Sequence, residues 1–241
     1  MDFTKLVALL ETRTLFFPRV SALEDPFEGA FPRTQPLLER MLSILPVRLP
    51  PDAVVHMSPG LETIGVTLRK WTYVSCWHIS AHESAAMWKL YAPTSAAIAV
   101  QSTVGRLRAA LGLPPPMESG FFGSTEFHLG TVEYIDYGTG TIPSNSFAAQ
   151  FFRKRKSFEH EKELRALLMR YPVDGKSGIR HDIGPGGNGA GYPVRLESLI
   201  EAVRVAPQSP PWYFALVAKV AARYGIKCDV MQSALDAEPM Y

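Results

Sequence analysis

Leu6, Leu9 and Leu10 recur at the spacing of one helix face, which predicts an amphipathic helix over residues 3–12. The apolar run LFFPRV follows as a short strand, with Pro18 restricting it to an edge or an end. Leu37, Leu38, Met41 and Leu45 predict a helix over 34–45, the Pro-rich PVRLPPD a connector, and residues 60–70 another helix. YVSCW (73–77) reads as a strand and Glu83 to Tyr91 as a helix. AAIAVQS is a buried strand, and VGRLRAAL is a helix that stops at Gly112. FHLGTVEYID alternates and predicts one long strand. SFAAQFFRKRKSF is predicted helical and EKELRALLM a strand. EAVRVA, a helix over 211–224 and the strand KCDVM complete the chain. The irregular interleaving, with no internal repeat, predicts an α+β fold. We expect one mixed β-sheet of about six to seven strands flanked by helices, with residues 1–241 as a single domain.

Composition adds little and excludes more. With 241 residues, 46% hydrophobic and 20% charged, the chain can bury a sizeable core. A net charge of +2 is too balanced for an electrostatic argument about DNA or an acidic membrane. The two cysteines, Cys76 and Cys228, show no CxxC spacing, so a disulfide framework or a zinc knuckle is not expected. No signal-peptide core and no apolar run near the roughly 20 residues of a membrane span are present. A cytoplasmic protein without membrane partners is the expectation.

Several motifs fail on physical grounds. Gly184 to Gly189 matches GxGxxG, but Pro193 follows and no helical pattern begins, so a mobile loop over 175–191 is expected. Gly175-Lys176-Ser177 lacks the first glycine of a phosphate loop. His78 and His82 are four apart without the glutamate of HExxH, and no metal site is expected. Cys76 and His78 share a strand face, where a packed thiol and a hydrogen-bonded imidazole are the simpler reading. Arg153-Lys154-Arg155-Lys156 beside Phe151 and Phe152 could track a nucleic-acid backbone, but a solvated helix end is preferred.

Two stretches carry more chemistry. In the turn SALEDPFEGAFPR, Asp25 and Glu28 flank Phe27; we expect the acids to be held by amides or a cation, and Phe27 to be buried. In the strand FEHEKELRALLMR, Glu161, Glu163 and Arg165 share one face. The apolar run after Arg165 predicts a central strand, so these charges need partners. They read equally as an ion-pair ladder or as an acidic catalytic pair with an arginine for a phosphate. Trp88 and Tyr91 share a helix face, with Met87 and Leu90 expected on the core side.

The order LFFPRVSALEDPFEG, MWKLYA and EKELR resembles the bacterial family called domain of unknown function 2971. Its members share a DPFE-type turn, an MW-x-x-YA helix and an E-x-E-x-R strand. They commonly carry an aromatic-basic strand ahead of the first helix, which is not seen here. The resemblance implies a pocket at which Tyr91 and Trp88 serve as ligand platform. Fold-level analogy extends it to an enzyme like the ADP-ribosyltransferases, with NAD or a nucleotide as substrate, acting in phage defence or a stress response. Glu163 would stabilise an oxocarbenium-like transition state and Glu161 would act as acceptor base. Tyr91 or Trp88 would stack nicotinamide, Arg19 or Arg165 would clamp phosphate, and Asp25 and Glu28 would border the substrate. The alternative is a non-catalytic module for a nucleotide, a nucleic-acid end or a peptide, with structural ion pairs.

Overall fold

The computed structural model describes residues 1–31, 65–92, 94, 96–113, 126–142, 148–174, 178–179, 184 and 186–239. The fold is α+β. The chain forms two compact units, one of Met1–Phe16, Ser80–Glu118 and Gly191–Tyr241, the other of Phe17–Ile79 and Ser119–Ala190. The helix expected over 34–45 and the Pro-rich connector lie outside the described residues.

In the first unit the helix Phe3–Thr12 forms as the leucine spacing predicts, burying Leu6, Leu9 and Leu10. Asp2 caps it by accepting from the Lys5 amide. Strand β3 (Ile98–Gln101) pairs antiparallel with β11 (Ala202–Val205), which pairs parallel with β12 (Asp229–Gln232). The helix Val104–Leu111 is capped by Thr103 and stopped by Gly112 at φ 64°. The helix Pro211–Arg223 buries Tyr213, Val217 and Ala221. The helix Ala85–Tyr91 buries no residue at all, and Leu90 is 56% exposed, not on a core side as expected.

The second unit is organised by β7 (Glu163–Met169), the centre of an antiparallel sheet ordered β2-β7-β4. β2 is Thr72–His78 and β4 is Glu126–Thr131. Every residue of β7 is buried, because its apolar side chains fall on both faces. One face carries Val74, Leu167 and Met169 into a core with Val20, Leu68 and Phe151. On that same face, toward the start of β7, Arg165 lies opposite Cys76 and Gly130, and Glu163 lies opposite His78.

Four features differ from expectation. The single sheet of six to seven strands is replaced by a three-stranded sheet in each unit and separate two-stranded ladders. The long strand breaks at Val132, after which β5 (Glu133–Ile135) leaves to pair in parallel with β6 (Arg153–Arg155). The basic run is therefore strand, not a helix end, and Arg153 and Lys154 are buried. Residues Lys156–Glu161 form a 3-10 helix, and Lys162 reverses the chain at φ 42°, so β7 starts at Glu163 instead of Glu161. Alternation marks where strands form but carries no information on their partners.

The Gly-rich stretch leads into strand β10 (Gly189–Pro193), where a dinucleotide-binding turn would open a helix. Residues 175–177, 180–183 and 185, part of the loop expected over 175–191, lie outside the described residues. No described helix is long and apolar enough to cross a membrane.

Candidate functional site

The second unit gathers Glu28, Lys154, Glu161, Glu163 and Arg165 into one buried cluster. Arg165 donates from Nε to Glu163 Oε1 at 2.6 Å and from Nη2 to Glu163 Oε2 at 3.0 Å. It donates from Nη2 to Glu28 Oε1 at 2.9 Å and from Nη1 to the Phe151 carbonyl at 2.7 Å. Glu28 Oε2 lies 2.7 Å from Nη1. Lys154 Nζ sits 2.5 Å from Glu161 Oε2 and 3.4 Å from both Glu163 Oε2 and Glu28 Oε1. Arg165 exposes 1% of its side chain, and Glu163 4%. Burial raises the Glu163 pKa, but the Arg165 guanidinium reverses this and holds the carboxyl below its ordinary value. Burial likewise opposes the Lys154 charge, and its three carboxylates hold the ammonium above its ordinary pKa.

Glu161 and Glu163 do converge, by a route other than strand alternation. The left-handed turn at Lys162 brings both carboxylates to Lys154. Cys76 borders this cluster. Its side chain hydrogen-bonds the Glu163 carboxylate. Cys76 itself is an exposed free cysteine. His78 shares its Nδ1 with the Glu161 carbonyl at 2.6 Å and so pins the same turn.

The turn Asp25 to Gly29 completes the frame. Asp25 Oδ1 accepts from the Phe27 amide at 3.1 Å, and the Asp25 carboxylate pairs with Arg155 at 3.0 and 3.1 Å. Both acids are thus held as expected. Phe27 is not buried as expected: it is 38% exposed. Its ring stands edge-on to Tyr137 at 5.1 Å, and the Arg155 guanidinium lies over it at 4.8 Å. The turn has room only for glycine at position 29, where φ is +70° and a Cβ would lie 2.5 Å from the Phe151 ring.

Beside this turn opens a cleft of about 420 Å³ lined by Phe27, Phe31, Tyr137, Arg155, Lys156 and Ser157, with Asp136 at its wall. The Arg155–Asp25 pair uses the Nε–Nη2 edge, so Nη1 faces away from the carboxylate. Lys156 and Ser157 are exposed. Tyr137 is buried and anchored, its hydroxyl donating to the Arg153 carbonyl at 3.2 Å.

The remaining expected residues have other partners. Arg19 donates from Nη2 to the Gly187 carbonyl, and its amide bonds the Asn188 carbonyl at 2.8 Å. Trp88 and Tyr91 belong to the first unit. There the Trp88 indole donates to Glu83 Oε2 at 3.0 Å, and Tyr91 is 55% exposed. Glu83 was not singled out from sequence, yet it accepts from four donors. Besides Trp88 these are Arg204 Nη1 at 3.0 Å, Ser233 Oγ at 2.6 Å and the Ala234 amide at 2.9 Å. Burial raises its pKa, and these donors together carry it below the ordinary value. A carboxylate directly before the helix cap Ser84 was the one available signal. Lys154, Arg155 and Tyr137 were also missed as site residues, because the pattern placed the first two on a helix and the last in a turn.

Comparisons of the chain with protein-family models, with curated proteins and with solved structures find no match.

Proposed function

We propose that the second unit is a non-catalytic binding module in which the acidic motifs form the frame and the cleft beside them forms the ligand site. The observation that carries this reading is that both oxygens of Glu163 are taken up by Arg165, inside the protein. A carboxylate that stabilises an oxocarbenium-like transition state must face the reacting sugar. Glu163 instead holds Arg165, which in turn ties β7 to the DPFE-type turn through Glu28 and to the Phe151 carbonyl. The resemblance to domain of unknown function 2971 fits the same proposal, since its DPFE and E-x-E-x-R motifs meet at one ion cluster.

Glu163→Gln separates frame from catalyst. The near-isosteric change leaves Arg165 with a neutral partner and is expected to cost about 3 kcal/mol, seen as a clearly lowered melting temperature. The wild-type chain is expected to leave NAD unconsumed in the presence of cell extract. A wild type that turns over NAD, with a Glu163→Gln variant that melts normally but is inactive, would reverse the assignment in favour of an ADP-ribosyltransferase-like enzyme.

A further inference from the structure

We propose that the cleft beside the Asp25–Gly29 turn binds a nucleoside monophosphate, an inference that rests on the binding-module reading. The cleft combines three chemistries that a mononucleotide needs and a peptide or free phosphate does not use together. Phe27 and Phe31 supply aromatic rings on which a base of any sequence can stack, with the buried Tyr137 supporting Phe27. Phe27 is partly exposed yet fixed, held edge-on by Tyr137 and capped by Arg155. Arg155 is itself preset: Asp25 holds one edge, and the guanidinium lies over Phe27 at 4.8 Å and over Phe158 at 5.4 Å. Its Nη1, the Lys156 ammonium and the Ser157 hydroxyl remain as donors for a phosphate. Asp136 gives the wall a carboxylate suited to a ribose diol, oriented by the hydrogen bond its Oδ1 accepts from the Gly138 amide at 2.7 Å.

Size and charge select the monophosphate. A volume of about 420 Å³ is in the range of small-ligand sites and accommodates one nucleotide. Two cations, Arg155 and Lys156, line the cleft, and Arg155 is shared with Asp25, so the positive charge on offer suits one phosphate better than three. The buried cluster behind the cleft makes the platform rigid, since Lys154 on β6, next to Arg155, is tied to three carboxylates.

The test is calorimetric titration of the full chain with AMP, GMP, CMP and UMP, with adenosine and inorganic phosphate as controls. At least one mononucleotide is expected to bind, with adenosine and phosphate each roughly tenfold weaker or more. Phe27→Leu and Lys156→Glu are each expected to weaken binding roughly tenfold. Lys156 is exposed, so its variant should melt like the wild type and report on binding alone. No heat with any mononucleotide at millimolar concentration, or wild-type affinity retained in both variants, would overturn the proposal. Should a mononucleotide bind and also be consumed, the cleft assignment stands and the non-catalytic reading falls. Should none bind while Glu163→Gln melts early and NAD is untouched, the reading stands and the ligand class falls.

Discussion

Charge at position 163 is useful only while a proton is kept away. The folded carboxyl titrates below its ordinary value of 4.5, so its contribution to stability is complete above that pH and fades as pH falls through the lowered folded value. The stability gap between wild type and Glu163→Gln, measured by urea unfolding, should therefore be widest near neutral pH and narrow progressively as pH falls below the ordinary carboxylate range. A gap of constant width would show that Glu163 acts through shape instead of charge. Gly29 makes a second residue-scale case. Gly29→Ala adds a methyl group against the Phe151 ring at a backbone angle that alanine avoids, and should destabilise the protein by about 1–3 kcal/mol. Chemical denaturation measures it, and a neutral result would mean that the turn relaxes freely.

At the scale of elements, polar side chains do what apolar packing does elsewhere. The helix Ala85–Tyr91 buries none of its residues fully, and Glu83 ties it into its unit. That carboxylate joins Trp88 at the helix to Arg204 on β11 and to the Ser233–Ala234 backbone. Glu83→Gln keeps the shape but weakens charge-assisted hydrogen bonds, a loss of about 1–3 kcal/mol. Amide hydrogen exchange over residues 85–91 should quicken in the variant, while β7 in the other unit stays protected. Unchanged exchange in the helix would mean that something other than Glu83 holds it. The β6 strand follows the same logic. Arg153 pairs with Glu133 at 2.8 Å, Lys154 enters the ion cluster and Arg155 pairs with Asp25. A run that reads as a nucleic-acid track thus spends most of its charge within the protein.

For the whole molecule, the order of segments matters more than their content. Each unit is assembled from separate stretches of chain, and β3 finds its partner β11 about a hundred residues later. Truncation after Ala190 removes β11, β12 and the helix Pro211–Arg223 together. The stretch Ser80–Glu118 then loses its sheet, so trypsin should cut at Arg106 and Arg108 in the truncated chain much faster than in the intact one. Equal protection of those sites would show that this stretch folds without its C-terminal partners.

Sequence alone determined the local elements and the identity of the central strand. Leucine spacing set the helix Phe3–Thr12, Gly112 ended the helix Val104–Leu111, and the apolar run after Arg165 marked β7 as interior. It also showed that Asp25, Glu28, Glu163 and Arg165 needed partners, because charges beside an apolar run must be neutralised on burial. Tertiary structure alone decided who those partners are. Glu28 meets Arg165 across 137 positions, and Asp25 meets Arg155 across 130. It also decided that Val132 and Lys162 break the expected strands, and that Phe27 faces a cleft instead of the core. The physical reason is one of range. Periodicity and capping act over a few residues and are written locally, whereas ion pairing and cleft formation depend on which distant segments the folded backbone brings within a few ångströms.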